Sequence, residues 1–238
     1  MARKRVNTTK IEIIQTALTM FVEYGYTSTS PKMVCDKLDI SLGSLTYYFP
    51  TKEHMLVLLV EKLAEFQWKK VRELMDDGES AITALCFELT AMAAMCEESK
   101  LAKDIYISAY TNTMALEIIR KNDAERAKSV FSEYCQNWTD KDFVMAETIV
   151  SGIEYAILKV TSDSPSLETR IEGAMDMILA IYGVPAERRQ KKVRKALSLD
   201  YRKFGQQVLN DFKHYVTDSM DKYFDEIEKK GLHYVKAE

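Results

Sequence analysis

The side chains best suited to chemistry lie together in one short segment, residues 41–52, and their types suit binding better than catalysis. Ser41 is typical of a helix N-cap and Pro50 bars continuation, so the segment predicts a helix of two turns. Leu45 and Phe49 are four residues apart and share the face that packs on neighbouring helices. The opposite face then carries small polar and aromatic residues: Gly43, Ser44, Thr46 and Tyr47. A short helix with such an outward face, clamped from behind, has the form of a recognition helix.

Motifs that support catalysis or metal binding are missing from the sequence. It has no glycine-rich phosphate loop, no nucleophile elbow and no paired His and carboxylate spacing. The three histidines lack the spacing that places two imidazoles on one helix face: His54, His214 and His233. Four widely separated cysteines predict reduced, mostly buried thiols: Cys35, Cys86, Cys96 and Cys135. We therefore expect no catalytic residue, no metal site and no cofactor.

Composition indicates a folded, all-α protein. The 238 residues include 8 Gly and 4 Pro, a low share of the residues that interrupt helices and build hairpin turns. Hydrophobic residues make up 47% and charged residues 29%, which is ordinary for a globular chain. No stretch reaches the roughly 18 uncharged apolar residues of a membrane span, and residues 1–10 are not followed by a signal peptide's apolar stretch. We expect a cytoplasmic protein with no membrane association.

Two helices are predicted ahead of the recognition helix. Thr9 and Glu12 form the pattern of a capping box at the start of the first helix, which Gly25 ends. Ser30 and Pro31 are typical of an N-cap and a first helical position, so they open the second helix.

Charge is spread unevenly along the chain. Residues 1–52 carry a net charge of +3, whereas the whole chain carries -3, which leaves -6 for the remainder. A basic N-terminal segment on an acidic body suits a protein that contacts phosphate with one end. Within it, Arg3, Lys4 and Arg5 form either a basic arm that contacts nucleic acid or an unbound tail.

The remainder of the chain predicts a larger helical unit. Thr51 caps a long connecting helix over residues 51–75, and the segment 81–96 is apolar almost all round, so it must be surrounded by other helices. Helical periodicity predicts four more helices, at about 101–120, 123–137, 140–160 and 166–182. The last two begin at caps, Thr139 and Ser164 with Pro165.

Two features near the C-terminal end leave alternatives open. The basic run at 188–195 is interpreted as a solvated helical face, with a second nucleic-acid patch as the alternative. A final amphipathic helix starts at Tyr201 and repeats large side chains at helical spacing: Phe204, Val208, Phe212, Tyr215, Tyr223 and Ile227. Its apolar face packs on this chain's own core or on a dimer mate, or else it docks a separate protein partner.

Residues 11–59 resemble the DNA-binding domain of TetR-family transcriptional regulators. The matching features are FVEYGY at 21–26, TS at 29–30, ISLGSL at 40–45 and YFPTKEHML at 48–56. The resemblance covers about a fifth of the chain and is specific, because it joins many residue types to the helix lengths. Two positions depart from the family: Thr46 stands in place of a usual tyrosine, and Pro31 in place of a common valine.

The resemblance implies a DNA-contacting role for a set of residues in the second to fourth helices. They are Lys32, Ser41, Leu42, Gly43, Ser44, Thr46, Tyr47, Tyr48 and Lys52. Lys52 matches a phosphate-contacting position, and Lys32 is expected to act similarly from the head of its helix. Because threonine stands at position 46, the chain lacks the tyrosine hydroxyl that often reaches a phosphate. Operator affinity or preference is therefore expected to differ from the family norm.

The resemblance also implies a division at about residue 52, between a helix-turn-helix domain (1–52) and a helical dimerisation and effector-binding domain (53–238). Expected seam residues of a homodimer lie on the helices at 140–160 and 166–182: Met145, Ile149, Ile153, Met175, Ile178 and Leu179. Expected pocket residues are aromatic or thioether side chains of the central helices: Met92, Met95, Tyr106, Tyr110, Trp138 and Tyr155. No charge cluster in the sequence indicates an ionic effector.

The sequence therefore favours a sequence-specific DNA-binding regulator, a repressor that a small-molecule effector releases from double-stranded operator DNA. The alternative is a DNA-binding regulator controlled by a protein partner through the extended C-terminal helix. An enzyme is disfavoured by the missing motifs.

Overall fold

The computed structural model describes residues 2–75 and 80–218, and over these residues the chain forms eleven α-helices and no β-strand. This confirms the predicted all-α fold. None of the described helices is both long and apolar enough to cross a membrane.

Three helices form the N-terminal unit: α1 (Ala2–Tyr24), α2 (Pro31–Leu38) and α3 (Leu42–Tyr48). The predicted capping box at Thr9 and Glu12 is wrong, because both residues lie inside α1. The segment from Arg3 to Arg5 is also helical and belongs to the first turns of α1. Neither Gly nor Pro occurs before Gly25, and nothing therefore stops the helix from extending to Ala2.

The predicted caps of α2 and α3 are confirmed. Ser30 Oγ accepts a hydrogen bond from Met33 N at 3.2 Å, and Ser41 Oγ accepts one from Ser44 N at 3.1 Å. Asp39 takes a left-handed conformation, with φ 52°, at the end of α2. This sharp turn between α2 and α3 sets the helix-turn-helix geometry.

The rest of the described chain contains eight helices. They are α4 (Lys52–Leu74), α5 (Ala81–Glu98), α6 (Lys100–Thr111), α7 (Thr113–Val130), α8 (Asp140–Leu158), α9 (Leu167–Ile181), α10 (Ala186–Leu197) and α11 (Tyr201–Asp218). Helix α5 is central, as predicted: it contacts α4, α6, α8, α9, α10 and α11, and fourteen of its residues are buried. All four cysteines are buried and free, which confirms the prediction for the thiols.

Two predicted helix boundaries are wrong. The helices expected over 101–120 and 123–137 divide instead at Asn112, whose side-chain oxygen accepts a hydrogen bond from Ala115 N at 3.0 Å. Helix α9 is capped by Ser166, which accepts from Thr169 N at 3.3 Å, and not by Ser164 with Pro165. Apolar periodicity continues across Asn112, so the pattern alone did not reveal the break.

Helix α11 packs on its own chain, against α1, α4 and α5. Val208 and Phe212 are buried, and the ring of Phe212 lies 5.5 Å from that of Phe66. Gly205 allows the closest approach, since a Cβ there would lie 2.7 Å from Met95 Cγ. The described part of the C-terminal helix thus covers its apolar face within the core, which gives no support to the partner-docking alternative. The predicted apolar positions Tyr223 and Ile227 lie outside the described residues.

The basic run lies on the outer side of α10, as expected of a solvated helical face. Arg188 pairs with Glu133 at 2.6 Å, and Arg189 pairs with Asp176 at 2.7 Å. Val193 is the member of this segment that turns into the core.

A buried aromatic and carboxyl contact joins α7, α8 and α9. Tyr182 at the end of α9 stacks on Phe131, with ring centroids 3.9 Å apart, and its hydroxyl donates a hydrogen bond to Glu147. Glu147 is 4% exposed. Burial, and then the nearby Asp123, raise the pKa of the Glu147 carboxyl to about 7, although the Tyr182 hydroxyl and Arg126 oppose the shift.

We expect Glu147→Gln to stabilise the protein near neutral pH. The folded state disfavours ionised Glu147, so this group's contribution to stability falls as pH rises from the ordinary carboxyl pKa, about 4.5, to about 7. The glutamine side chain keeps an acceptor for Tyr182 and carries no charge. The gain in the free energy of unfolding should be about 2 to 3 kcal/mol at about pH 8 and under about 1 kcal/mol at about pH 5.

Urea unfolding at both pH values measures this difference, with Glu117→Gln as the matched control because Glu117 is exposed on α7. An equal effect of Glu147→Gln at the two pH values would contradict the buried-charge explanation.

Candidate nucleic-acid interface and buried cavity

The outward face of α3 is open to solvent, while two side chains anchor the helix from behind. Leu45 and Phe49 are 1% and 4% exposed, and both belong to the core. Tyr47 is 78% exposed and Leu42 is 55% exposed. The outward orientation predicted for the rest of this face is observed, since Ser41, Gly43 and Thr46 are exposed and Ser44 and Tyr48 are partly exposed.

The exposed side chains of α3 differ in whether they already make contacts within the helix. The Thr46 hydroxyl donates to the Leu42 carbonyl at 3.0 Å, so it is turned toward its own helix. Tyr47 packs edge-on against Tyr48, with ring centroids 5.0 Å apart. Tyr47 is therefore the large aromatic side chain that α3 presents to solvent.

The two lysines that the sequence places near phosphate have different surroundings. Lys52 folds back: its ammonium donates to the Tyr26 carbonyl and lies 3.9 Å from the centroid of the Tyr26 ring. Burial lowers the pKa of Lys52, although Asp104 and Glu53 oppose this shift. Lys32 is exposed at the head of α2. Lys32 is thus the more accessible cation, and Lys52 ties α4 to the loop that follows α1.

A second contact joins that loop to α6. Asp104 accepts hydrogen bonds from Thr27 N, at 2.8 Å, and from the Thr27 hydroxyl. Gly25 has φ +96°, and a Cβ there would lie 2.9 Å from Asp104 Oδ2, so a side chain at this position would be strained and crowded. The α1–α2 loop is therefore fixed to a helix of the larger helical unit.

A cavity of about 70 Å³ lies among α4, α5, α6, α7 and α8. Three of the six expected pocket residues line it: Met92, Tyr106 and Tyr110. The others do not: Met95 packs at Gly205, Trp138 packs on Phe143 and Tyr182, and Tyr155 is not among the lining residues. Most of the wall is apolar and includes Leu63, Leu85, Leu89, Ile105 and Ile119.

One end of the cavity is strongly polar, which the sequence did not lead us to expect. Arg126 donates to Glu88 at 2.7 Å and to Asp123 at 2.8 Å. Tyr110 donates to Glu154 at 2.9 Å, and Glu154 is 8% exposed. The absence of a charge cluster was therefore a wrong expectation. These residues come from α5, α6, α7 and α8, so no single segment shows the cluster. The one available signal was Glu88 within an otherwise apolar helix.

Burial is the largest single influence on the pKa values of the carboxyl groups at this end of the cavity. It raises the pKa of Glu88 and of Asp123, each against the opposing effect of Arg126. The pKa of Glu154 is raised well above its ordinary value by burial and then by Asp123 and Glu147. Burial alone would lower the pKa of Arg126, but Glu88 and Asp123 outweigh it and hold the guanidinium charged.

The outer faces of α8 and α9 form an apolar surface that differs from the expected dimer seam. Met145 and Ile149 are 63% and 51% exposed, and Ile153 is partly exposed. Met175, Ile178 and Leu179 are at most 2% exposed, so these three were wrong as seam residues: their side chains fill the core of their own chain. Val144 and Met177 are further exposed large hydrophobic residues of this surface.

The N-terminal helices match a family model, and part of the chain matches a curated relative. The model of bacterial regulatory proteins of the tetR family matches residues 13–59, which span α1 to the first part of α4. The uncharacterized HTH-type transcriptional regulator YuxN of Bacillus subtilis (strain 168) is 32% identical over 80 residues. That match covers 34% of this chain and 28% of the relative, so the chain spans under a third of the relative's length.

The overall fold is similar to that of solved regulators. RolR in complex with its ligand resorcinol is 16% identical, with a TM-score of 0.63, over 80% of this chain and 95% of RolR. RolR without ligand is 17% identical, with a TM-score of 0.54, over 77% of this chain and 95% of RolR. The family likeness thus lies in residues 13–59, the N-terminal helix-turn-helix, which match the tetR family of bacterial regulatory proteins.

Proposed function

We propose that this protein binds operator DNA through α3 as a homodimer, and that a small molecule in the cavity controls the binding. Residues 1–52 would form the DNA-binding domain, and residues 53–238 the dimerisation and effector domain. The observation that carries the proposal is the exposed face of α3, anchored by Leu45 and Phe49, within the segment that the family model matches. The protein would act as a repressor in the cytoplasm, where its DNA lies, and no catalytic role is proposed.

The shape of α3 suits close approach to DNA. A Cβ at Gly43 would meet Ser41 Oγ at 3.7 Å, an ordinary contact, so internal packing does not require glycine there. The missing side chain leaves the backbone accessible to a phosphate or a base edge. Tyr47 and Leu42 flank this gap with exposed apolar surface, and Lys32 supplies a positive charge nearby in the chain.

We expect Tyr47→Ala to weaken binding to the preferred operator by about 1 to 3 kcal/mol, because it removes the main exposed side chain of α3.

Lys32→Ala should weaken binding to all DNA and reduce the slope of log affinity against log salt by about one phosphate contact per protomer. The matched control is Lys37→Ala, which removes the same charge at the other end of α2.

A two-fold symmetric site would first be selected from random duplexes, and fluorescence anisotropy at several salt concentrations then measures each variant. If Lys37→Ala changes the salt slope as much as Lys32→Ala does, the contact assigned to Lys32 is wrong.

The apolar face of α8 and α9 is the proposed dimer interface. Val144, Met145, Ile149 and Met177 are each more than half exposed in the single chain. Gly152 and Gly173 border open space on the same two helices, since a Cβ added at either position would meet no heavy atom within 4 Å. Small and apolar residues together permit two helix pairs to pack closely as a four-helix bundle. A dimer of this kind presents its recognition helices to half-sites about 34 to 36 Å apart.

Ile149→Asp should shift the protein from dimer to monomer at micromolar concentration, because a charge would be buried at the centre of the seam. Sedimentation equilibrium measures the shift, and operator affinity should fall with it. Leu74→Asp is the control, since Leu74 is equally exposed, at 52%, but lies at the end of α4. A stable dimer of the Ile149→Asp variant would place the interface elsewhere.

The cavity is proposed as the effector site. The RolR structure with resorcinol provides a precedent in a similar fold, and here an apolar chamber ends in polar groups that could orient a small ligand. At about 70 Å³ the cavity is smaller than the roughly 150 Å³ cavity that accommodates benzene elsewhere. A ligand of that size must displace the walls, and α6 is one of them. Because Asp104 ties α6 to the α1–α2 loop, that displacement would reach the helix-turn-helix.

Asp104→Ala should loosen this connection while leaving the fold intact. We expect hydrogen exchange at the Thr27 amide to accelerate by about tenfold or more, since that amide loses its acceptor. Operator affinity should fall by about three- to tenfold, because the orientation of α2 and α3 is held less firmly. Exchange mass spectrometry and anisotropy measure the two effects, with the neighbouring Lys103→Ala as control. Unchanged exchange at Thr27 would show that Asp104 does not hold the loop.

A further inference from the structure

We propose that the cavity binds a small organic cation, an amine with an apolar body, and this inference rests on the proposed effector role of the cavity. The polar end brings together three lining carboxylates, Glu88, Asp123 and Glu154, with one guanidinium, Arg126. The site therefore has a surplus of negative charge that a bound cation would offset.

The hydrogen bonds place that surplus at Glu154. Arg126 directs its two terminal nitrogens to Glu88 and Asp123, at 2.7 and 2.8 Å. Glu154 instead receives the neutral Tyr110 hydroxyl at 2.9 Å. Of the three lining carboxylates, Glu154 is the one without a direct ion pair among the described residues. An ammonium group beside Glu154 would give this carboxylate the charged partner that it lacks.

The remainder of the wall suits the apolar body of such a ligand. Aliphatic and thioether surface comes from Leu89, Met92 and Ile105. Tyr106 adds an aromatic ring, and its hydroxyl already donates a hydrogen bond to Gln67 at 2.7 Å. A ligand must present both a hydrocarbon part and a positive group to satisfy the two ends together.

An outer cleft of about 720 Å³, lined by α4, α5 and α7, shares Asp123 and Arg126 with the cavity. It carries Glu61 and Glu65 but also Arg72, and Glu65 pairs with Lys62, so the charges of the cleft nearly balance. The preference for a cation therefore rests on the carboxylates inside the cavity.

The buried carboxyls also predict how binding depends on pH. The ionisable groups that face Glu154 are Tyr110, Asp123, Arg126, Glu147 and Tyr182, and Glu88 lines the same cavity. The raised carboxyl pKa values mean that protons neutralise part of the surplus in the empty site. A cation displaces those protons, so its affinity should increase with pH as the buried carboxyls ionise. Glu147, whose pKa is about 7, lies outside the cavity lining but adds negative charge near Glu154 when it loses its proton.

The test compares three probes of similar size and different charge: benzylamine, benzyl alcohol and benzoate. Isothermal titration calorimetry on the full chain at about pH 8 should show benzylamine binding about tenfold or more tightly than benzyl alcohol, with benzoate weakest. Between about pH 6 and pH 8 the benzylamine affinity should rise by about threefold or more, while that of benzyl alcohol stays constant.

Glu154→Gln should reduce the benzylamine affinity by about tenfold and leave that of benzyl alcohol within about twofold. Glu117→Gln, an exposed change on α7, should alter neither. The proposal is overturned if benzyl alcohol or benzoate binds as tightly as benzylamine, if Glu154→Gln has no selective effect, or if none of the probes binds.

Operator binding by the same preparation separates this result from the larger proposal. If the protein binds operator DNA normally and benzyl alcohol or benzoate releases it from the DNA, the effector is not a cation. The protein would still be a regulator that an effector controls. If the unliganded protein shows no sequence-specific DNA binding, the proposed function itself is wrong.

Discussion

Helix α5 has almost no polar face, and much of the larger helical unit is arranged to bury it. Fourteen of its residues are buried, and six other helices contact it. Apolar burial on this scale is the main favourable term in folding, so the surrounding helices are positioned by the requirement to cover α5 on every side. The C-terminal α11 completes that cover, and Gly205 allows it to approach the backbone of Ala91 and the side chain of Met95.

Glu88 is the charged residue among the buried side chains of α5. A carboxylate on a buried helix needs a partner, and Arg126 supplies one from α7. Arg126 also binds Asp123 and lies 4.8 Å from the centroid of the Trp68 ring on α4. One guanidinium thus connects three helices at the place where the cavity and the outer cleft meet. The polar contact that fixes these helices also gives the cavity its chemical character.

Local features of the fold were predictable from sequence because short-range chemistry determines them. Ser30 and Ser41 act as caps in the structure as they do in the sequence pattern, and the 3.6-residue period correctly separated Leu45 from Tyr47. The all-α class followed from the scarcity of glycine and proline in the same way. Such signals need no knowledge of which helices become neighbours.

What sequence could not supply was the identity of each helix's partner. The helical period of apolar residues identifies which residues share a face, but it does not show whether that face packs on the same chain or on a second copy. Met175 and Ile178 were misassigned for this reason. The polar end of the cavity is built from α5, α6, α7 and α8, with contacts that join positions 38 and 44 residues apart. The length of α1 was missed because a plausible cap at Thr9 competed with a helix that nothing interrupts.

The cap and anchors of α3 bear on the kinetics of the proposed DNA binding. Ser41 fixes the first turn through a hydrogen bond of 3.1 Å, and Leu45 and Phe49 hold the helix against the core before any DNA is present. A helix already ordered in the free protein loses little conformational entropy when it meets the groove. Encounter with DNA should therefore proceed by docking of a rigid surface, with a small heat-capacity change and no slow folding step in the association rate.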